Sequence, residues 1–408
     1  MGMIRPALVL TALALIAPVA CTSDDDGTVE PTAAPTVSGK PTAVPGTPTV
    51  RPQNRTPAPS TKALDPAKAA ALQAVLAKVV KLNATIPDAY VAARGITAAV
   101  VTDKWMWSGA AGVDAAGTTL VPTTMLGAAS ITKTFVAAEV ILLASAGKID
   151  LDAPLSQYVR HRLTENDAPI RQHLAMRAGV PNFRPEEYAQ LDKAIAAAPG
   201  KHWTAEEVLA YNTGPLLPPD SPYSYSNPSY LLLGLLIEKV TGQSLATVLR
   251  RDLARPAGLE RAAFQDAEQP RPPLAEDRNP LCGKARDGFV PCRAFASSLG
   301  ASASLAADAP TIARWGYQLY GGRVGPAELV RQMSLGEGNF GLGTMLFSYT
   351  FGNFLAFGHS GQLPDHTSML VSVPELRLSV AVLVAAGGKD ADELAGELIR
   401  AAVPLLDG

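Results

Sequence analysis

Gly127-Ala128-Ala129-Ser130-Ile131-Thr132-Lys133-Thr134-Phe135 is the stretch on which the fold turns. It contains a Ser-x-x-Lys tetrad followed by an apolar run through Phe135, Val136, Val140 and Leu143. On a helix, residues three apart share one face, with Cβ atoms roughly 5–6 Å apart. Lys133 therefore reaches the Ser130 hydroxyl, and a desolvated lysine gives up its proton readily enough to act as a base. The spacing alone is weak, because Ser145-Ala146-Gly147-Lys148 repeats it. Position on the helix separates the two. Small residues precede Ser130, which places it at a helix N-terminus, where unpaired N–H groups and the positive end of the dipole stabilise a developing oxyanion. Ser145 falls where Gly147 caps the other end and carbonyls emerge, so Lys148 is a solvated terminal charge.

Two elements lie downstream. In Tyr225-Ser226-Asn227-Pro228 the proline drives Asn227 toward extended geometry, and residues two apart on an extended chain point the same way. Tyr225 and Asn227 are thus expected to face one cleft. A phenol beside a lysine is expected to titrate below its usual ~10 and shuttle protons, while Asn227 donates to a substrate amide. An isolated Tyr-x-Asn is more commonly a solvated loop tyrosine and a turn asparagine. His359-Ser360-Gly361 ends an apolar run from Phe354 to Phe357. His359 and Gly361 share a strand face, and Gly361 leaves room for a substrate against the backbone, so that an extended peptide adds to this edge. Taken alone, His359 is a structural histidine.

The order Ser-x-x-Lys, Tyr-x-Asn, His-x-Gly resembles the serine beta-lactamase-related family. That family groups class C beta-lactamases, D-alanyl-D-alanine carboxypeptidases and esterases. The likeness extends to Gly147-Lys148-Ile149-Asp150-Leu151-Asp152, to Tyr225-Ser226-Asn227-Pro228-Ser229-Tyr230 with Leu233-Gly234 and Ile237-Glu238, and to Gly358-His359-Ser360-Gly361. It covers roughly residues 66–405. The resemblance implies Ser130 as nucleophile, Lys133 and Tyr225 as the base system, and Asn227, His359 and Gly361 as substrate contacts. The N–H groups of Ser130 and Gln362 would form the oxyanion hole. His359 stands where lactamases of this class usually carry lysine, which points to carboxypeptidase-like or esterase-like members. Ala175-Met176-Arg177-Ala178-Gly179 replaces the family's Thr-His-Thr-Ser-Gly, with Gly179-Val180-Pro181 kept.

The surrounding pattern agrees. Pro66 to Leu82 has helical periodicity through Leu72, Val75, Leu76, Val79 and Val80. Ile96–Val101 and Lys104–Gly112 form a hairpin about Thr102-Asp103. Residues 127–240 are mainly helical. Strands return at Gly341–Phe347, Phe354–His359, Thr367–Val373 and Leu376–Ala385, before a last helix from Asp390 to Leu406. Strands at both ends with helices between give an α/β (α+β) fold, in which distant halves build one antiparallel sheet and a helical lobe is inserted. We expect 64–126 and 297–408 to form the sheet lobe and 127–296 the helical lobe. The resemblance implies a beta-lactamase/transpeptidase-like architecture.

Residues 1–21 resemble an export signal, with Arg5 before the apolar run Ala7–Ala17. Pro18-Val19-Ala20-Cys21 resembles a bacterial lipobox with proline in the usual leucine place. Lipidation of Cys21 and ordinary cleavage near Ala20 both remain open. Residues 22–63, rich in Thr, Pro, Ser and Asp, are expected to be a disordered tether. Export suggests that Cys282 and Cys292 pair as a disulfide in a surface loop, free thiols being the alternative. The chain of 408 residues is 18 % charged, 47 % apolar and carries a net charge of −2. It shows no basic stripe for nucleic acid and no metal-ligand spacing, and the chemistry requires no cofactor. The expected protein is thus exported and lipid-anchored to the outer face of a bacterial membrane. Its expected partner is a small-molecule or peptide acyl substrate, foremost a peptidoglycan stem peptide cleaved by a D,D-carboxypeptidase-like serine hydrolase. An esterase or amidase, with Phe347, Phe351, Phe354 and Phe357 forming an apolar site, is the alternative. A non-catalytic wall-binding lipoprotein is another, and a beta-lactamase is disfavoured by His359.

Overall fold

The computed structural model describes residues 55–83, 94–283, 287–334, 336, 339–347, 354–386 and 390–406; the segment expected to be an export signal, Cys21, the expected tether up to residue 54 and Phe351 lie outside them. Among the described residues nine strands lie in chain order: β1 (Gly95–Thr102), β2 (Met106–Gly112), β3 (Leu126–Gly127), β4 (Ala263–Phe264), β5 (Leu305–Ala307), β6 (Met345–Leu346), β7 (Phe357–Gln362), β8 (Thr367–Val373) and β9 (Leu378–Val384). Six of them form an antiparallel sheet in the order β2-β1-β9-β8-β7-β6. The N-terminal hairpin and the C-terminal meander meet where β1 pairs β9, from Ile96 opposite Val384 to Thr102 opposite Leu378. Here the two ends of the chain close one sheet.

Both faces of this sheet are covered, which is why its central strands are continuous apolar runs rather than alternating ones. Ile96, Ala98, Val100, Val371, Val380 and Val382 pack on one face with Leu72 and Leu76 of the helix Pro66–Asn83 and Leu394 and Leu398 of the helix Asp390–Ala402. Ala99, Val101, Leu370, Ala381 and Leu383 face the larger core, which contains Trp315 of the helix Ala309–Tyr320. Burying each Val or Leu side chain contributes roughly 1.5–3 kcal/mol relative to leaving it exposed. A one-residue slip would exchange the two faces, so this double burial pins the register.

Several boundaries differ from the sequence expectation. Residues 55–63, expected to belong to the disordered tether, pack on the sheet lobe. Thr56 N–H donates to the Gly321 carbonyl at 3.0 Å and Ser60 N–H to Thr102 at 2.8 Å, and Thr56 is buried. Backbone pairing orders this stretch, an option its apolar-poor composition does not reveal. The expected strand at 341–347 contracts to Met345–Leu346, and that at 354–359 slides to Phe357–Gln362. The helix Arg293–Ala303 runs across the expected lobe boundary at 296/297. Cys282 and Cys292 are joined by a disulfide. Both cysteines are buried in the larger core rather than lying in a surface loop. Phe347 and Phe354 pack on the smaller core, and Phe357 stacks on Tyr320 with centroids 5.7 Å apart, so these three line no apolar site. Among the described residues no single helix is long and apolar enough to cross a membrane.

Candidate active site

The helix Thr132–Ser145 is apolar on all sides and buried along nearly its whole length. One short 3-10 turn, Ala129–Ile131, precedes it and carries Ser130, which is partly exposed. Ala129 is held at φ +51°. A non-glycine residue in that region costs of order 1–3 kcal/mol and persists only when its surroundings fix it. They do so here. Ala128 N–H donates to Leu305 at 2.7 Å, the Ser368 hydroxyl donates to the Ala128 carbonyl at 2.8 Å, and Thr132 Oγ1 donates to the Ala129 carbonyl at 2.6 Å. Gly127 N–H donates to Nδ1 of buried His366 at 3.2 Å. Apart from Thr132, which belongs to the tetrad itself, these partners lie outside the three sequence elements and come from β5, β8 or the turn before β8.

Three groups converge on Ser130 and Lys133. Lys133 Nζ lies 3.1 Å from Ser130 Oγ, 2.9 Å from Asn227 Oδ1 and 2.7 Å from the Ser302 carbonyl. Tyr225 Oη donates to Ser130 Oγ at 2.8 Å. Lys133 is fully buried, and burial holds its amine well below the ordinary 10.5. A neutral amine has two N–H groups and one lone pair. The Ser302 carbonyl and Asn227 Oδ1 can only accept, so they take both donors and leave the lone pair for the one partner with a proton to give, Ser130. The Ser302 carbonyl is available because Ser302 lies in the last turn of its helix, where carbonyls lose their intrahelical partners.

Tyr225 departs from expectation. Burial pushes its phenol well above the ordinary 10 instead of below it. The phenol therefore keeps its proton and stands as a donor. Asn227 departs as well. The extended residue is Ser226 (φ −136°, ψ 107°), which caps the helix Asn227–Thr241 by accepting from Ser229 N–H. Asn227 is the first helical residue, because proline is well tolerated in the opening turn of a helix. Its Nδ2 donates to Tyr188 Oη at 3.2 Å, so one of its two amide protons serves the protein rather than a substrate. Tyr188, on the helix Pro185–Ala197, was not legible as a site residue in the sequence. The Ala175–Gly179 block lies under this loop. Met176 accepts from Ser224 N–H through its carbonyl and from Ser226 N–H through its sulfur, and so supports the Tyr225 segment.

On β7, His359 and Gly361 share a face as expected, but that face turns inward. His359 is fully buried, and burial, followed by the neighbouring Lys133, lowers its imidazole to about 3. It is neutral at physiological pH. A Cβ on Gly361 would stand 2.4 Å from the Ala128 carbonyl and 2.9 Å from Ala129 Cβ. The missing side chain makes room for the Ser130 turn, not for a ligand. Gly361→Ala is expected to destabilise by about 1–3 kcal/mol and to lose activity in parallel, as measured by urea unfolding and ester turnover. An unchanged unfolding midpoint would refute the close-packing role. Leu363 N–H donates to His366 across the β7–β8 turn at 2.7 Å. Leu363 N–H sets the antiparallel alternation: odd-numbered residues of β7 turn their N–H groups to β8, and the N–H of exposed Gln362 points to the other edge, beyond Met345, the first residue of β6.

Comparison with known proteins adds a family and a fold. A family model described as Beta-lactamase matches residues 83–403. Protein flp of Staphylococcus aureus is 28 % identical over 149 residues, 35 % of this chain and 29 % of that protein. Esterase EstB of Burkholderia gladioli is 28 % identical over 186 residues, 43 % of this chain and 47 % of the esterase. The chain thus spans less than half the length of either curated relative. D-amino acid amidase from Ochrobactrum anthropi SV3, in a crystal structure with L-phenylalanine amide, superposes with a TM-score of 0.67 at 21 % identity, covering 83 % of this chain and 99 % of the amidase.

Proposed function

The chain belongs to the Beta-lactamase family of serine hydrolases, and from that premise we propose that it is an amidase or esterase that forms an acyl-enzyme on Ser130. The observation that carries the reading is the meeting of two proton carriers of opposite character on one hydroxyl. A buried Lys133, whose charged form burial disfavours, and a buried Tyr225, whose proton burial retains, both reach Ser130 Oγ. Lys133 takes the Ser130 proton as the oxygen attacks the carbonyl. The oxyanion is held by the N–H groups of Ser130 and Gln362. Tyr225 protonates the departing nitrogen or oxygen and recovers a proton from Lys133. Water then cleaves the acyl-enzyme through the same pair, and Ser130 regains its proton. Asn227 and Tyr188 hold Lys133 in place in this reading.

A D,D-carboxypeptidase acting on peptidoglycan stem peptides is the second reading, favoured by the export-signal segment and the tether. It requires a cation for the substrate's terminal carboxylate, and a neutral, buried His359 supplies none. The likeness to an esterase in sequence and to an amidase in fold also favours the first reading. We propose that the enzyme works outside the membrane, anchored through Cys21. The test is intact-mass labelling of the full chain with a fluorophosphonate and, separately, a penicillin, alongside Ser130→Ala. One fluorophosphonate adduct that disappears in the variant is expected. A folded protein that takes no adduct from either reagent would sink the hydrolase reading in favour of a wall-binding one.

A further inference from the structure

Ser130 does not sit in a polar cleft on every side. Tyr223 is two residues from Tyr225, and its side chain is 46 % exposed where most large apolar groups of the chain are covered. Its ring lies 5.4 Å from that of Phe340, and Phe340 stands edge-on to His359 at 5.8 Å. The Phe340 loop is fastened beside the site. Gly343 N–H donates to the Leu174 carbonyl, which Tyr230 Oη also reaches, and a Cβ on Gly343 would stand 3.1 Å from the Lys133 carbonyl. Met345 closes the far end, with its sulfur 3.5 Å from both the N–H and the hydroxyl of Ser360 on β7. One aromatic and thioether wall therefore runs from the proton donor Tyr225 to the edge of β7.

Among the described residues no cation lies over the ring of Tyr223 or Phe340. Burial disfavours the charged forms of Lys133 and His359. Arg177 and Arg331 are ion-paired, with Asp220 and Glu328. A carboxylate laid against this surface would lose its hydration and gain no counter-charge, whereas an apolar group would bury area against the exposed Tyr223 ring, which the buried Phe340 backs. Tyr223 also neighbours Tyr225, whose phenol reaches Ser130 Oγ, and the departing group must receive the proton that this phenol carries.

Resting on the acyl-enzyme reading of Ser130, we propose that the wall formed by Tyr223 and Phe340 binds the leaving group. The substrates are then amides or esters of uncharged, apolar amines or alcohols. Tyr223 is a specificity residue here, since it touches neither Ser130 nor Lys133. The experiment uses the full chain and a series of esters of one acid: benzyl, cyclohexylmethyl and ethyl esters, whose alcohols differ little in acidity, and a carboxymethyl ester, which puts a carboxylate in the leaving group. Wild-type kcat/KM is expected to favour benzyl and cyclohexylmethyl over ethyl by about 10-fold or more, with the carboxymethyl ester the poorest. Tyr223→Ala should collapse the benzyl-to-ethyl ratio by about 10-fold, and Tyr223→Phe should restore it. A flat wild-type series, or a ratio unmoved by Tyr223→Ala, overturns the inference while leaving the hydrolase reading intact. No turnover of any ester beyond that of Ser130→Ala overturns both.

Discussion

Lys133→Met is expected to lower ester and amide turnover by about 10²–10⁴-fold, the range over which general acid–base groups act. Methionine nearly matches the lysine stem in length, so the buried site stays filled while the base is lost. The same variant reports the charge state that the mechanism requires. Burial disfavours the charged form of Lys133 in the folded chain, whereas the unfolded lysine has an ordinary affinity for its proton. Between the lowered folded pKa and 10.5 the unfolded state binds one more proton than the native state. Stability therefore rises with pH through that window, by up to about 1.4 kcal/mol per pH unit, and levels off above it. In Lys133→Met this contribution is absent. Urea unfolding at several pH values from 7 to 10 should show wild type gaining on the variant as pH rises. Wild-type turnover should fall as acid protonates Lys133. Parallel stability curves would mean that the folded chain keeps the lysine charged, and a charged lysine cannot take the Ser130 proton.

The site was legible where chemistry and local geometry coincide in sequence, and illegible where it depends on contacts from afar. Ser130 and Lys133 are three residues apart on one helical turn, so spacing alone brings them to 3.1 Å. Strand β8 spans the expected Thr367–Val373, because a short stretch with Met369, Leu370, Val371 and Val373 between turn residues has few alternatives. Ser302 contributes a backbone carbonyl, which no side-chain pattern announces. Tyr188 lies 39 positions from the Asn227 amide that it receives. The direction of the Tyr225 shift was misread because proximity to an assumed charged lysine was weighed and burial was not. Burial is a property of the assembled fold, and it acts on both groups at once, lowering the amine as expected and raising the phenol against expectation. The inward face of His359 and Gly361 has the same origin. Period-two alternation shows that they share a side, but the packing of the Ser130 turn against β7 decides which side is buried.

Tyr225→Phe is expected to lower turnover of alkyl esters and amides by about 10²–10³-fold, and the size of the loss should depend on the leaving group. The phenol donates to Ser130 Oγ at 2.8 Å and is held in its protonated form by burial. Its largest contribution therefore falls at the moment a poor leaving group must acquire a proton. A p-nitrophenolate departs without one, so the p-nitrophenyl ester of the same acid should lose less than about 10-fold. Removing one hydroxyl from a buried hydrogen bond costs on the order of 1 kcal/mol, too little to unfold the chain, and Ser130 should still accept a fluorophosphonate. Wild-type activity should show no alkaline loss attributable to Tyr225 near the ordinary tyrosine value of ~10, because burial places its titration higher. An equal loss across alkyl, amide and p-nitrophenyl substrates would mean that Tyr225 only orients Ser130. Proton delivery would then fall to Lys133 alone, returning to the leaving group the proton it had just taken from the serine.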